Sequence, residues 1–253
     1  MIEVAVSGAA GRMGSMVAAT VEQTEGLDLV ALYDPEHVGV DVAGMPVSGD
    51  PEVVAAADVV VEFTNPTVVL ENLAQWRGLG VHAVVGTSGF DEARLAQVQR
   101  AWSDGPPNCL IVPNFSIGAV VMMRLSEIAA PHFAAAEIIE LHHDRKADAP
   151  SGTALATARR IAAQKEQHRD VASVEMVPGA RGADVATVPV HSVRLPGYVA
   201  HQEVVFGGMG ETLSIRHDTT DRQAFMPGVV LAVRSVADLA APLTVGLEPL
   251  LGI

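Results

Sequence analysis

Twelve consecutive residues, His142-His143-Asp144-Arg145-Lys146-Ala147-Asp148-Ala149-Pro150-Ser151-Gly152-Thr153, gather the side chains best suited to acid–base chemistry on an anion. Imidazole titrates near neutrality, so two adjacent histidines beside an ammonium group can bind negative charge and deliver a proton. Lysine occurs only at 146 and 165, so Lys146 is not routine surface charge. Ser151 reads as the cap of a helix that begins with Gly152 and Thr153. Such a start offers amide N–H groups and hydroxyls to a carboxylate or phosphate. The plainer alternative is a solvated loop capped by Ser151, with no ligand. A zinc site does not fit. Neighbouring strand residues point to opposite faces, and no third ligand stands at metal spacing, so no metal is expected.

The remainder of the chain makes a local positive island necessary for any anionic substrate. The formal net charge is −14, which argues against nucleic acid or an anionic membrane as the main partner. At 253 residues, nearly half of them hydrophobic, there is core enough for one large domain or two modest ones. Cys109 is the only cysteine and can form no intrachain disulfide, which suits a reducing compartment. With no basic leader and no membrane-length apolar run, a cytoplasmic protein is expected.

A second motif is Gly8-Ala9-Ala10-Gly11-Arg12-Met13-Gly14, which follows an apolar run and opens a helical pattern. Small residues at such a junction let the backbone approach a pyrophosphate, whose charge is met by amides and the helix dipole. Asp34 ends the next apolar run, where an acid can accept hydrogen bonds from an adenine-ribose diol. The spacing is GxxGxxG rather than GxGxxG, and a turn that merely packs a helix on a sheet would look alike. Arg12 reads equally as a phosphate partner or a solvated helix charge. Phe63-Thr64-Asn65-Pro66 and Gly86-Thr87-Ser88-Gly89-Phe90 also follow strand ends, where ligands of such sheets bind. Ordinary N-capping would select similar residues.

These positions need a scaffold, and the apolar periodicity implies one. Strands are expected at Ile2–Ser7, Leu27–Tyr33, Asp58–Phe63, Val81–Val85 and Leu110–Val112. Their nearly continuous hydrophobicity suits a parallel sheet covered on both faces. Helices at Met13–Gln23, Thr67–Leu79 and Asp91–Trp102 alternate with them, and Pro35–Gly49 reads as loop. After Pro113-Asn114 the expected order is helix Gly118–Phe133, strand Glu137–His142 and helix Gly152–Gln164. Strands then follow at Ser173–Val177, Thr187–Leu195, Ala200–Phe206 and Thr212–Arg216, a helical stretch at Asp221–Leu239, and a strand candidate at Leu243–Leu247. The fold class is α/β: a doubly wound parallel Rossmann sheet, interrupted or followed by an α+β domain with an open mixed sheet.

The segment from Glu140-Leu141-His142-His143 through Lys146-Ala147-Asp148-Ala149-Pro150-Ser151-Gly152-Thr153-Ala154 resembles the signature of the 4-hydroxy-tetrahydrodipicolinate (dihydrodipicolinate) reductase family. Agreement extends through Val6-Ser7-Gly8-Ala9-Ala10-Gly11-Arg12-Met13-Gly14, Gly86-Thr87-Ser88-Gly89-Phe90, Pro113-Asn114-Phe115-Ser116-Ile117-Gly118 and Ile215-Arg216-His217-Asp218. It covers essentially the whole chain, and its overall look is that of actinobacterial members.

The resemblance implies reduction of 4-hydroxy-tetrahydrodipicolinate, via dihydrodipicolinate, to tetrahydrodipicolinate by hydride from NADH and/or NADPH, in diaminopimelate and lysine biosynthesis. It makes His142 the acid or hydrogen-bond donor and Lys146 a second proton donor or substrate ligand. His143 would help hold a carboxylate of the small cyclic dicarboxylate substrate, and Ser151, Gly152 and Thr153 would cradle one. The cofactor contacts would be Gly8 to Gly14, Asp34, Phe63, Thr64, Gly86, Thr87, Ser88, Pro113, Asn114 and Phe115. Residues 1–115 would form the Rossmann domain, with 222–253 returning to it. Residues 116–221, inserted between them, would bind substrate and build a homotetramer through their sheet. Hinges near Pro113–Ser116 and Asp221–Phe225 would let the domains close over substrate.

Two positions depart from the family pattern. Arg145 stands where histidine is more readily expected; it stays cationic but cannot act as an acid at neutral pH. Asp34 is followed by Pro35, so no arginine stands directly after the acid to meet a 2′-phosphate, which leans the reading toward NADH or dual use. Two rival functions stay open. One is a semialdehyde dehydrogenase with Cys109 as nucleophile, although a cysteine in an apolar strand is more often inert core. The other is a nicotinamide-binding sensor without turnover, which would leave the His142–Thr153 segment unexplained.

Overall fold

The computed structural model describes residues 1–164 and 173–253. The chain divides into two compact units, Met1–Ser116 with Phe225–Ile253, and Ile117–Ala224.

The first unit is built on six parallel strands: β1 (Ile2–Ser7), β2 (Leu27–Tyr33), β5 (Val59–Glu62), β6 (His82–Val85), β7 (Cys109–Ile111) and β13 (Leu243–Val245). They lie in the order β13-β7-β6-β5-β1-β2. Apart from the edge strand β13, the strands are buried along most of their length, which explains their continuous apolar runs. Helices α1 (Arg12–Glu22), α2 (Val69–Gly78), α3 (Glu92–Ala101), α6 (Met226–Ser235) and α7 (Glu248–Leu251) complete the unit. The chain leaves β1 toward β2 on one side and returns to β5 on the other. The turns after β1 and β5 therefore flank a switch point, the place where open α/β sheets hold ligands.

Pro35–Gly49, expected as loop, contains a short hairpin of β3 (Asp41–Val42) and β4 (Met45–Pro46). Ala43 and Gly44 both have positive φ, 53° and 78°, as a tight primed turn requires. Alanine is a poor signal for that conformation, which is why the hairpin was not legible.

The second unit places α4 (Ile117–Ala129) and α5 (Gly152–Ala163) with a five-stranded mixed sheet. Its strands are β8 (Ala135–His142), β9 (Ala183–Val185), β10 (Val188–Arg194), β11 (Ala200–Gly208) and β12 (Glu211–Thr219), in the order β12-β11-β8-β10-β9. Only β8 and β10 pair in parallel, joined through α5. Ile138, Val190, Val204 and Phe206 from the sheet pack with Ala154, Ala158 and Ile161 of α5 in one core.

The expected strand Ser173–Val177 is absent. Val174, Met176 and Val177 are exposed, so no buried face rewards extension, and the Glu175 carboxylate instead accepts the N–H groups of Gly179 and Arg181. Strand β9 was not foreseen, and Thr187, expected inside a strand, has φ of 72° in the turn that joins β9 to β10. The helical stretch expected at Asp221–Leu239 is divided: 3₁₀ turns at Arg222–Phe225 and Val236–Asp238 flank α6. Among the described residues no helix is long and apolar enough to cross a membrane.

Candidate active site

In the first unit, the residues singled out as cofactor contacts all follow the C-terminal ends of the parallel strands. Gly8 leaves β1 with φ of 75°, and its N–H bonds the Tyr33 carbonyl at 2.9 Å. A Cβ at Gly8 would lie 2.3 Å from the Phe63 carbonyl oxygen, so the turns after β1 and β5 touch only because residue 8 is glycine. Ala9, Ala10 and Gly11 carry the chain into α1, which begins at Arg12, continues through Met13 and Gly14, and has no side-chain cap. Its start has no acidic residue either, leaving a positive helix end bare for an anion. Arg12 is exposed.

Asp34 is buried at the end of β2, held by the N–H of Ala10 at 3.3 Å and of Glu36 at 3.1 Å. The N–H of Thr64 bonds Oγ1 of Thr87 at 2.9 Å, joining the loops after β5 and β6. Gly86 and Ser88 flank Thr87, with Ser88 exposed. After β7, Asn114 Oδ1 accepts the N–H of Ser116 beside exposed Pro113. The ring of Phe115 lies 5.5 Å from that of Phe63.

In the second unit, His142 ends β8 and Ser151 caps α5, its Oγ accepting the N–H of Ala154 at 3.2 Å. Between them Glu140, fully buried, joins both. Its Oε2 lies 2.5 Å from Nδ1 of His142, and its Oε1 accepts the N–H of Ser151 at 3.2 Å. Arg194 donates from Nη1 and Nη2 to the two Glu140 oxygens, both at 2.8 Å. Parallel pairing of β10 with β8 sets Arg194 opposite His142 and Ser192 opposite Glu140. Burial by itself raises the Glu140 carboxyl, but hydrogen bonds from His142, Arg194 and Ser192 outweigh it and bring the group down to about 2. An ionised Glu140 makes Nδ1 of His142 the donor in that bond.

Lys146 Nζ donates to Asp148 Oδ1 at 2.8 Å, and the Asp148 carbonyl accepts from Arg194 at 2.6 Å. His143 is half-buried with Nδ1 enclosed; burial first, then the charges of Arg222 and Arg145, push its imidazole toward the neutral form. Gly152 is exposed with open space where a Cβ would stand, and Thr153 follows it on the first turn of α5. Among the described residues no group of three or more His, Cys, Asp or Glu could hold a metal ion.

Two family profiles match the chain end to end: "Dihydrodipicolinate reductase, N-terminus" over residues 2–115 and "Dihydrodipicolinate reductase, C-terminus" over residues 118–251. The chain belongs to the dihydrodipicolinate reductase family.

Relatives named 4-hydroxy-tetrahydrodipicolinate reductase include one from Thermobifida fusca, 52% identical with all of both chains covered. Another, from Cutibacterium acnes, is 48% identical, again with all of both chains covered. A dipicolinate-bound dihydrodipicolinate reductase from Paenisporosarcina sp. TG-14 superposes with a TM-score of 0.87 at 38% identity, covering 98% of this chain and 99% of that one. An amine dehydrogenase from Mycobacterium smegmatis shares the fold alone, with a TM-score of 0.64 at 16% identity. Membership makes the chain a pyridine-nucleotide-dependent oxidoreductase.

Within this family member, sequence reasoning missed Arg194 altogether and gave Glu140 no task. The available signal was the alternation of β8: Ala136, Ile138 and Glu140 share its buried face, and a carboxylate there demands a partner. Cys109 is fully buried, and burial pushes its thiol up, away from the thiolate form a nucleophile needs.

Proposed function

We propose that the chain reduces 4-hydroxy-tetrahydrodipicolinate, by way of dihydrodipicolinate, to tetrahydrodipicolinate with NADH or NADPH, in the diaminopimelate route to lysine. The observation that carries this reading is His142 locked by buried Glu140 beside the open start of α5, within a family whose solved relative binds dipicolinate. A cyclic dicarboxylate that is to be dehydrated and reduced needs anion ligands and a proton source together, and this segment holds both.

The first turn of α5 binds one substrate carboxylate through the amides of Gly152 and Thr153 and the hydroxyls of Ser151 and Thr153. His143 supports that carboxylate. Loss of water puts a proton on the departing hydroxyl and releases one from the adjacent ring carbon, and reduction then needs a proton for the electron pair displaced through the conjugated imine. His142 and Lys146 deliver these protons. Lys146, tethered by Asp148, reaches from the loop, and His142 acts from the strand end through Nε2.

The first unit fits a dinucleotide: the uncapped start of α1 suits the pyrophosphate, and Asp34 suits the ribose diol. The bound cofactor supplies hydride to the ring carbon opposite the nitrogen. Phe63, Thr64, Gly86, Thr87, Ser88, Pro113, Asn114 and Phe115 would hold the bound cofactor beyond the start of α1, and Arg12 would meet its phosphates. With Pro35 directly after Asp34, NADH is used at least as well as NADPH. The second unit serves substrate binding and assembly of a homotetramer, the segments near Pro113–Ser116 and Asp221–Phe225 act as hinges, and the enzyme works in the cytoplasm.

The test is oxidation of NADH and NADPH while the substrate is generated in place from pyruvate and aspartate semialdehyde by its synthase. Rapid oxidation is expected, falling roughly a hundredfold or more in Lys146→Ala and His142→Ala. A protein that binds NADH but oxidises none of it would overturn the assignment and leave the sensor.

A further inference from the structure

The buried face of β8 carries a charge at Glu140 where its earlier members, Ala136 and Ile138, are aliphatic. Glu140 is fully enclosed, with Ile138 before it on the same face and Gln202 opposite it on β11. Burying a carboxylate–guanidinium pair does little for stability compared with apolar residues of similar volume, because both ions must be stripped of water. The pair therefore calls for another reason, and its contacts supply one.

Besides the hydrogen bond from Ser192, each Glu140 oxygen serves two partners. Oε2 takes Nδ1 of His142 and Nη1 of Arg194; Oε1 takes the Ser151 N–H and Nη2 of Arg194. Arg194 also bonds the carbonyls of Val193 and Asp148, and Asp148 holds Lys146. One network thus connects the imidazole, the ammonium group and the cap of α5.

We propose that Glu140, braced by Arg194, is the positioning residue of this site: it fixes the tautomer and orientation of His142 and registers that ring against the anion-binding start of α5. The inference rests on the reductase reading of His142. A buried carboxylate at Nδ1 is the arrangement by which an imidazole is kept in one tautomer with its other nitrogen ready for proton transfer. A neutral amide at 140 removes the charge that enforces this choice, yet its oxygen can still accept the Ser151 N–H. Substrate binding and proton delivery should therefore separate.

The experiment compares wild type with Glu140→Gln by ¹⁵N spectroscopy of the His142 ring in cofactor-free protein, and by steady-state kinetics. The neutral ring in wild type is expected as a single Nδ1–H tautomer, with the Nε2–H form becoming populated in the variant. kcat should fall about tenfold to hundredfold while the substrate KM changes less than about threefold. In a His142→Ala background the same substitution should cost less than about threefold more, because Glu140 acts through His142.

An unchanged tautomer in Glu140→Gln, or losses that multiply fully in the double variant, would overturn the proposal. If Glu140→Gln does not fold, Arg194→Lys keeps a cation but loses the fork. It should lower kcat and broaden the His142 tautomer distribution, and an unaltered spectrum with unaltered kcat would count equally against the idea. The ring spectrum needs no turnover. Failure of wild type to oxidise either nucleotide would therefore sink the reductase reading without deciding the tautomer.

Discussion

Asp34 Oδ2 accepts the backbone N–H of Ala10 at 3.3 Å, tying the end of β2 to the glycine turn that precedes it by 24 residues. Its other oxygen takes the Glu36 N–H and lies 3.1 Å from Nδ1 of His37. The carboxylate is thus oriented before any ligand arrives. On the proposed reading, a carboxylate so placed would accept from a ribose diol and repel a 2′-phosphate.

Replacing Asp34 with alanine should raise the KM for NADH about tenfold or more, since hydrogen bonds to a charged acceptor are worth roughly 1.5–3 kcal/mol. The KM for NADPH should change less, or fall. Parallel titrations with the two nucleotides read the ratio directly. Equal losses for both would mean that Asp34 only shapes the turn.

Acid should loosen the second unit through Glu140. Its folded carboxyl is held at about 2, below the ordinary 4.5, so its stabilisation is complete above pH 4.5 and is lost as pH falls toward 2. That gap corresponds to roughly 3 kcal/mol. Asp148 and Glu137 are also lowered and act in the same direction. Amide protection factors in β8 and α5, corrected for the slower intrinsic exchange at low pH, should fall between pH 4.5 and pH 3 in wild type and change much less in Glu140→Gln. A variant as acid-sensitive as wild type would place the effect elsewhere.

The contrast between these two carboxylates shows what the sequence could reveal. Asp34 could be singled out because the case for it rests on local order: a strand end, a turn and a helix start at characteristic spacing. The His142–Thr153 cluster could be singled out for the same reason, since its members are neighbours in the chain. Arg194 lies 54 residues from Glu140, and only the parallel register of β10 on β8 brings them together. No periodicity within either strand encodes that register. The Ser173–Val177 error has the opposite origin: local β-propensity was present, but no buried surface was there to reward it.

Beneath the loop after β5, Glu62 is fully buried and hydrogen-bonded by neutral donors: Trp76 Nε1 at 2.9 Å, Asn72 Nδ2 at 3.2 Å and the Thr64 hydroxyl. Trp76→Phe keeps most of the packing but removes one donor from a buried carboxylate. The expected cost is about 1–3 kcal/mol. Trp102 remains as a buried fluorophore in the same unit, so urea unfolding can be followed by its emission. An unchanged midpoint would show that the carboxylate finds another donor.

Cys109 should prove inert. It is fully buried and its thiol is pushed up by that burial, so iodoacetamide at pH 8 should leave native protein unmodified and active. A single adduct should form only after denaturation, as mass spectrometry would record. Inactivation under native conditions would revive the semialdehyde dehydrogenase reading.

Gly8 and Gly26 allow a controlled test of the nucleotide turn. Both have positive φ, 75° and 85°, so alanine at either position meets a backbone cost of about 1–2 kcal/mol. They differ in what lies nearby. A Cβ at Gly26 meets nothing within 4 Å, whereas at Gly8 it falls 2.3 Å from the Phe63 carbonyl oxygen. Gly26→Ala should therefore lower the melting temperature and leave NADH affinity near wild type. Gly8→Ala must push apart the turns after β1 and β5, and should weaken NADH at least tenfold beyond any stability loss. Nucleotide fluorescence titrations on both variants, at a temperature where each is folded, measure the difference. If Gly8→Ala binds NADH as well as Gly26→Ala does, the contact between these two turns has no part in holding the cofactor.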